Sequence, residues 1–69
     1  MNIKDAHLGL AVRVINDCTT ACGNFATGGT IYRIIGVDVR DDTVCVPKGA
    51  TGVLWINDYN LKLYVMGSY

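Results

Sequence analysis

The stretch Thr30-Ile31-Tyr32-Arg33-Ile34-Ile35-Gly36-Val37-Asp38-Val39 decides the fold. β-branched and aromatic residues dominate it, and such side chains fit a pleated, half-buried strand better than a helix. The run is too long to stay flat in a small domain, and Gly36 is where a bend or bulge is expected. Downstream, Arg40-Asp41-Asp42 reads as a hairpin turn. Thr43-Val44-Cys45-Val46 is the return strand, halted by Pro47, which has no amide hydrogen for a ladder. After the turn Lys48-Gly49-Ala50-Thr51-Gly52 comes the apolar strand Val53-Leu54-Trp55-Ile56. Asn57-Asp58-Tyr59-Asn60 is polar and brief, which suits one 3₁₀ turn. The last strand, Leu61-Lys62-Leu63-Tyr64-Val65, alternates with Leu61, Leu63 and Val65 on one side.

Upstream, Gly28-Gly29 ends a polar, small-residue segment from Asn16 that forms a long first loop around a single aromatic, Phe25. A lone loop aromatic is expected to pin the loop to the core, with an exposed contact residue as the other reading. Before the loop, Leu8, Leu10, Val12 and Val14 alternate with Gly9, Ala11, Arg13 and Ile15, so residues 8–15 form a first strand with one buried face. For Ile3 to His7, a strand extension and a short helical turn both remain open. The expected organisation is one domain over residues 1–69: an extension at 1–7, five strands at 8–65 and a tail at 66–69.

Composition agrees with this reading. The 69 residues carry six basic and six acidic side chains, a formal net charge of zero, and 51% hydrophobic residues. That balance excludes intrinsic disorder and leaves room for one core only. All six acids are Asp, Glu and Gln are absent, and Val, Ile and Thr supply 20 residues. Helix formers are scarce, so the class is all-β. Neutral charge removes bulk attraction to nucleic acid or anionic membrane, although a local patch stays open. No run reaches the roughly 20 apolar residues of a membrane span. The N-terminus lacks the basic-then-apolar order of a signal peptide, and a cytoplasmic location is expected.

Five short strands, a long first loop, a bent second strand, a tight hairpin and a 3₁₀ turn before the last strand resemble the SH3-like small β-barrel. The residues that carry the resemblance are Val12-Arg13-Val14, Gly29-Thr30-Ile31-Tyr32-Arg33-Ile34 leading to Val37-Asp38, and Leu54-Trp55-Ile56-Asn57-Asp58 leading to Leu61-Lys62-Leu63. Within that class the chain is most similar to small accessory barrels of phages and bacteria, with a G-x-x-Y-x-I opening before a strand ending in V-D. It lacks the acidic, aromatic-rich first loop and paired Trp of eukaryotic proline-peptide readers, and the basic first loop of ribosomal barrels. The resemblance implies an inhibitor or modulator of a host or defence enzyme, placed in the host cytoplasm if the chain is phage-encoded.

Chemistry-bearing residues are few. The three cysteines, an odd number, fit a secreted disulfide scaffold poorly. Cys45 reads as a small apolar filler. A zinc-stabilised structural domain would need Cys18, Cys22, Cys45 and His7 to converge, although only one short Cys pair is present; Cys18 and Cys22 are also spaced to form a disulfide in air. Asp38, Asp41 and Asp42 form the densest acidic cluster, read as solvated turn residues before a cation site. No spacing fixes a base beside a nucleophile and no Gly-rich loop joins a strand to a helix, so neither an enzyme nor a bound cofactor is expected.

The face count favours binding. With Leu10, Val12, Val14, Tyr32, Ile34, Leu54, Ile56, Leu61, Leu63 and Val65 filling the interior, alternation sends Ile31, Arg33, Ile35, Val53, Trp55 and Tyr64 outward. Ile31, Arg33, Ile35, Trp55, Tyr59 and Tyr64 are therefore the expected partner-binding residues of a non-catalytic protein-interaction module, itself expected to form a homo-oligomer. The alternative is a nucleic-acid or nucleotide binder using Arg13, Arg33, Arg40, Lys48 and Lys62, with Tyr32, Trp55 and Tyr59 for stacking.

Overall fold

In the computed structural model, which describes residues 1–20 and 23–65, eight short strands follow one another with two single 3₁₀ turns. The strands are β1 (Ala11–Val14), β2 (Cys18–Thr19), β3 (Phe25–Ala26), β4 (Ile31–Arg33), β5 (Gly36–Asp38), β6 (Thr43–Lys48), β7 (Gly52–Asn57) and β8 (Leu61–Leu63). The 3₁₀ turns lie at Ile3–Asp5 and Asp58–Asn60. All pairings are antiparallel, in the orders β4-β1-β8 and β5-β6-β7, with β2-β3 as a separate hairpin. The class is all-β, as expected; the strands form three small sheets, none of them closed on itself.

Alternation builds the core. Val12 and Val14 from β1, Ile34 after β4, Val44 and Val46 from β6, Leu54 and Ile56 from β7, and Leu61 from β8 form one buried cluster between the two larger sheets. Each fully buried aliphatic side chain contributes about 1.5–3 kcal/mol. Ile3 and Ala26 complete the cluster. The 3₁₀ turn at Ile3–Asp5 resolves the open reading of the first residues: Asn2 accepts the Lys4 amide at its start, and Ile3 turns inward.

The Thr30–Val39 stretch is divided between the two larger sheets. The Ile34 amide donates to the Leu10 carbonyl at 2.9 Å, continuing the β1–β4 ladder, and the next amide, of Ile35, donates to the Cys45 carbonyl at 2.8 Å. Gly36 is the residue in register with Cys45. Two residues of one strand thus face one of the other, the arrangement of a β-bulge, at the glycine where a bend was expected.

Five expectations need correction. The first strand covers Ala11–Val14 and not residues 8–15, and Leu8, expected on its buried face, is exposed in the turn before it. The segment after Asn16 is not a plain loop, since it carries the β2-β3 hairpin. Phe25 does not pin it: Ala26 takes the inward position of β3 and Phe25, its neighbour on the strand, is 58% exposed. Pro47 does not halt its strand, because β6 runs on to Lys48 paired with β7. The Cys45 carbonyl points toward the β5 side, so the Pro47 nitrogen, two residues on, points the same way, past the last β5–β6 pair. No ladder donor is missed there. Finally, Leu63 and Val65 are 46% and 66% exposed. The shared core is closed by Leu61, and β8 runs out beyond its edge.

Candidate functional site

The six expected binding residues fall on different surfaces. Register places Ile31, Arg13 and Lys62 side by side across β4-β1-β8, and Arg33 beside Ala11 two positions along. The Tyr64 amide donates to the Ala11 carbonyl at 3.1 Å, continuing the β1–β8 register, so alternation puts Tyr64 on the same outward face. This face is therefore a grid of six: Ile31, Arg13 and Lys62 in one row, Arg33, Ala11 and Tyr64 in the next. Arg13, Ile31, Arg33 and Lys62 are exposed, whereas Ala11 and Tyr64 are half-buried. Arg33 donates from Nη1 to the Gly9 carbonyl at 2.9 Å. None of the six Asp residues lies on this face.

Trp55 and Ile35 belong to the other sheet. Trp55, Cys45 and Gly36 stand in one cross-strand row on the outward face of β5-β6-β7. A Cβ added to Gly36 would stand 3.1 Å from the Cys45 Cβ and 3.7 Å from Trp55 Cη2. The indole thus reaches across β6, occupying the space that a side chain at 36 would fill, and Cys45 is buried in the row beneath it. Trp55 itself remains half-buried, with Val53 and Pro47 exposed two pairs further along on the same face. Ile35, in the bulge, is exposed too. Tyr59, on the 3₁₀ turn Asp58–Asn60, is 70% exposed.

Carboxylates act locally as backbone acceptors. Asp38 Oδ1 accepts the amides of Arg40 at 3.0 Å and Asp41 at 3.3 Å, shaping the turn before β6. Asp42 in that turn adopts a φ of 55°, a left-handed conformation that Asp tolerates better than most residues. Asp17 Oδ1 accepts the Gly28 amide at 2.6 Å, closing the base of the β2-β3 hairpin.

The zinc candidates are dispersed in character. His7 is exposed, its Nδ1 3.3 Å from the Asp5 carbonyl oxygen; Cys45 is buried in β6 and Cys18 lies half-buried at the hairpin. Burial, and then the negative charge of Asp17, push the Cys18 thiol pKa up, which disfavours the thiolate that a metal would need. Cys22 lies outside the described residues. Among those residues no group of three or more His, Cys or Asp side chains is placed to hold a metal ion, and no helix is long and apolar enough to cross a membrane.

Sequence reasoning had named every member of the cationic grid except Ala11, but scattered over two hypotheses. Only the register shows that Arg13, Arg33 and Lys62 share a face while Arg40 and Lys48 do not. No family model, curated protein or solved structure matches the chain.

Proposed function

We propose that this chain is a non-catalytic binding domain that docks on a larger protein through the outward face of β5-β6-β7. The observation that carries the reading is the Trp55 indole, laid over the Gly36–Cys45 row with one side open and exposed Val53 and Ile35 close by. A rigid aromatic among aliphatic neighbours on a stiff sheet is the kind of anchor that dominates protein interfaces. Its side chain is already partly ordered, so binding costs less conformational entropy.

The fold we propose for it is the five-stranded SH3-like barrel. Joining β4 and β5 through the bulge gives one bent strand that serves both larger sheets, with β1 between it and β8, and β6 between it and β7. The similarity to phage and bacterial accessory barrels makes a host or defence enzyme, inhibited or modulated by docking, the partner class in this reading.

Immobilised protein should capture one partner at stoichiometric level in a manner little changed by salt. Val53→Asp and Ile35→Asp, at exposed positions, should abolish capture with the melting temperature unchanged. A protein that captures nothing, or variants that capture equally well, would overturn the reading. Self-association removed by the same substitutions would assign the face to a second copy of this chain.

A further inference from the structure

We infer that the outward face of β4-β1-β8 binds single-stranded nucleic acid, a function separate from protein docking and carried by different residues. Three of the chain's six Lys and Arg residues, Arg13, Arg33 and Lys62, share this face, and none of its six Asp residues does. Arg13 and Lys62 are direct cross-strand neighbours. Like charges so placed repel, which costs stability unless an anion lies between or above them. Neither forms a side-chain hydrogen bond or ion pair among the described residues. The fold therefore presents a local positive field on a chain of zero net charge.

The second row supplies what a base requires. Ala11 is a low floor between Arg33 and Tyr64, which stand two strands apart, or roughly 9–10 Å at normal strand spacing. A planar ring standing upright above Ala11 has the Tyr64 phenol on one flank and the Arg33 guanidinium on the other, while Arg13 and Lys62 receive the neighbouring phosphates. Stacking on an aromatic or guanidinium plane beside a cationic track is how sheet surfaces hold unpaired bases. Exposed Ile31 offers apolar contact at the corner of the grid.

Two considerations select a single strand over other anions. A six-residue face cannot neutralise the many phosphates that a duplex-binding surface engages. An acidic protein segment would satisfy the cations but would make no use of the paired flanks around Ala11.

Fluorescence anisotropy with labelled dodecamers of deoxythymidine and of uridine tests the proposal, beginning at about 50 mM salt where phosphate contacts are strong. Binding should weaken with salt at a log–log slope of about −1.4, the value for two phosphate contacts on a single strand. The double variant Arg13→Gln/Lys62→Gln should lose roughly tenfold or more in affinity, and Tyr64→Ala about tenfold. Arg40→Gln and Lys48→Gln remove the same charge off the face and should leave affinity within about twofold. The proposal is overturned if neither dodecamer binds at low salt, or if the off-face variants weaken binding as much as the on-face ones. It is also overturned if a deca-aspartate peptide displaces the dodecamers at equal or lower concentration, an outcome that would assign the face to an acidic protein.

Discussion

Asp58 holds Ile3: its Oδ2 accepts the Ile3 amide at 3.1 Å, tying the first 3₁₀ turn to the second. The Asp58 amide in turn donates to the Asp42 carbonyl at 2.9 Å, so this one residue fastens the β5–β6 turn as well. Ile3 is then positioned to drop its side chain into the core. Asp58→Ala should destabilise the fold by about 1–2 kcal/mol, since a partly buried amide loses a charged acceptor. Urea unfolding should show a lower midpoint with an unchanged slope. Asp58→Asn, which keeps an acceptor, should cost about half as much.

Gly36→Ala should disturb the Trp55 surface specifically. The added methyl group stands 3.1 Å from the Cys45 Cβ, too close for ordinary packing, and 3.7 Å from the indole. The expected cost is about 1 kcal/mol, within the range for overpacking a tight site. Trp55 emission should move to longer wavelength as the ring is lifted toward water; unchanged emission would show that the sheet gives way elsewhere.

Gly28→Ala should open the hairpin base. Its Cβ would lie 3.0 Å from both the Asn16 Cα and the Asp17 amide nitrogen, all backbone that cannot move aside alone. The 2.6 Å bond from the Gly28 amide to Asp17 would be strained by the same shift. Amide hydrogen exchange should speed up at Thr20, Ala26 and Gly28, whose amides are bonded within the hairpin, while amides of β6 and β7 stay protected. Asp17→Ala should accelerate the same amides, because it removes the other half of that bond.

Cys18 should alkylate more slowly at neutral pH than an unperturbed thiol, because burial and then the Asp17 charge raise its pKa and deplete the reactive thiolate. Asp17→Asn should speed the reaction, as followed by peptide mapping after timed iodoacetamide treatment. The same shift has a definite sign for stability. The folded thiol keeps its proton more tightly than the unfolded one, so this contribution is complete below the ordinary thiol pKa and is lost as pH rises through the folded value.

Much of the fold was legible because one-sided burial writes itself as alternation. Val12, Val14, Leu54, Ile56 and Leu61 announce their strands and all are buried. Gly36 announces a bulge because a glycine inside an otherwise β-branched run is hard to explain otherwise. What alternation cannot state is where a strand leaves the core: Leu63 and Val65 keep the pattern of Leu61 but stand beyond the interior. Pro47 misled for a related reason, since its missing donor matters only on a side where a neighbour runs, and β5 has ended by then. The binding surfaces were half legible. Ile31, Arg33 and Trp55 could be assigned outward one strand at a time, but which of them are neighbours depends on pairing between strands far apart in sequence.

That dependence governs how the molecule must assemble in time. The Ile3 amide meets its acceptor 55 residues away, and β1 pairs with β8 near the other end of the described chain. Large loops must close before these pairings repay the lost chain entropy. The bent segment through Ile34 and Ile35 is the local bridge, since β5, β6 and β7 can form a meander on their own before β1 has found β8. Refolding is therefore expected on the millisecond-to-second scale of non-local β topologies, with the β5-β6-β7 face ordered first and the cationic face completed last.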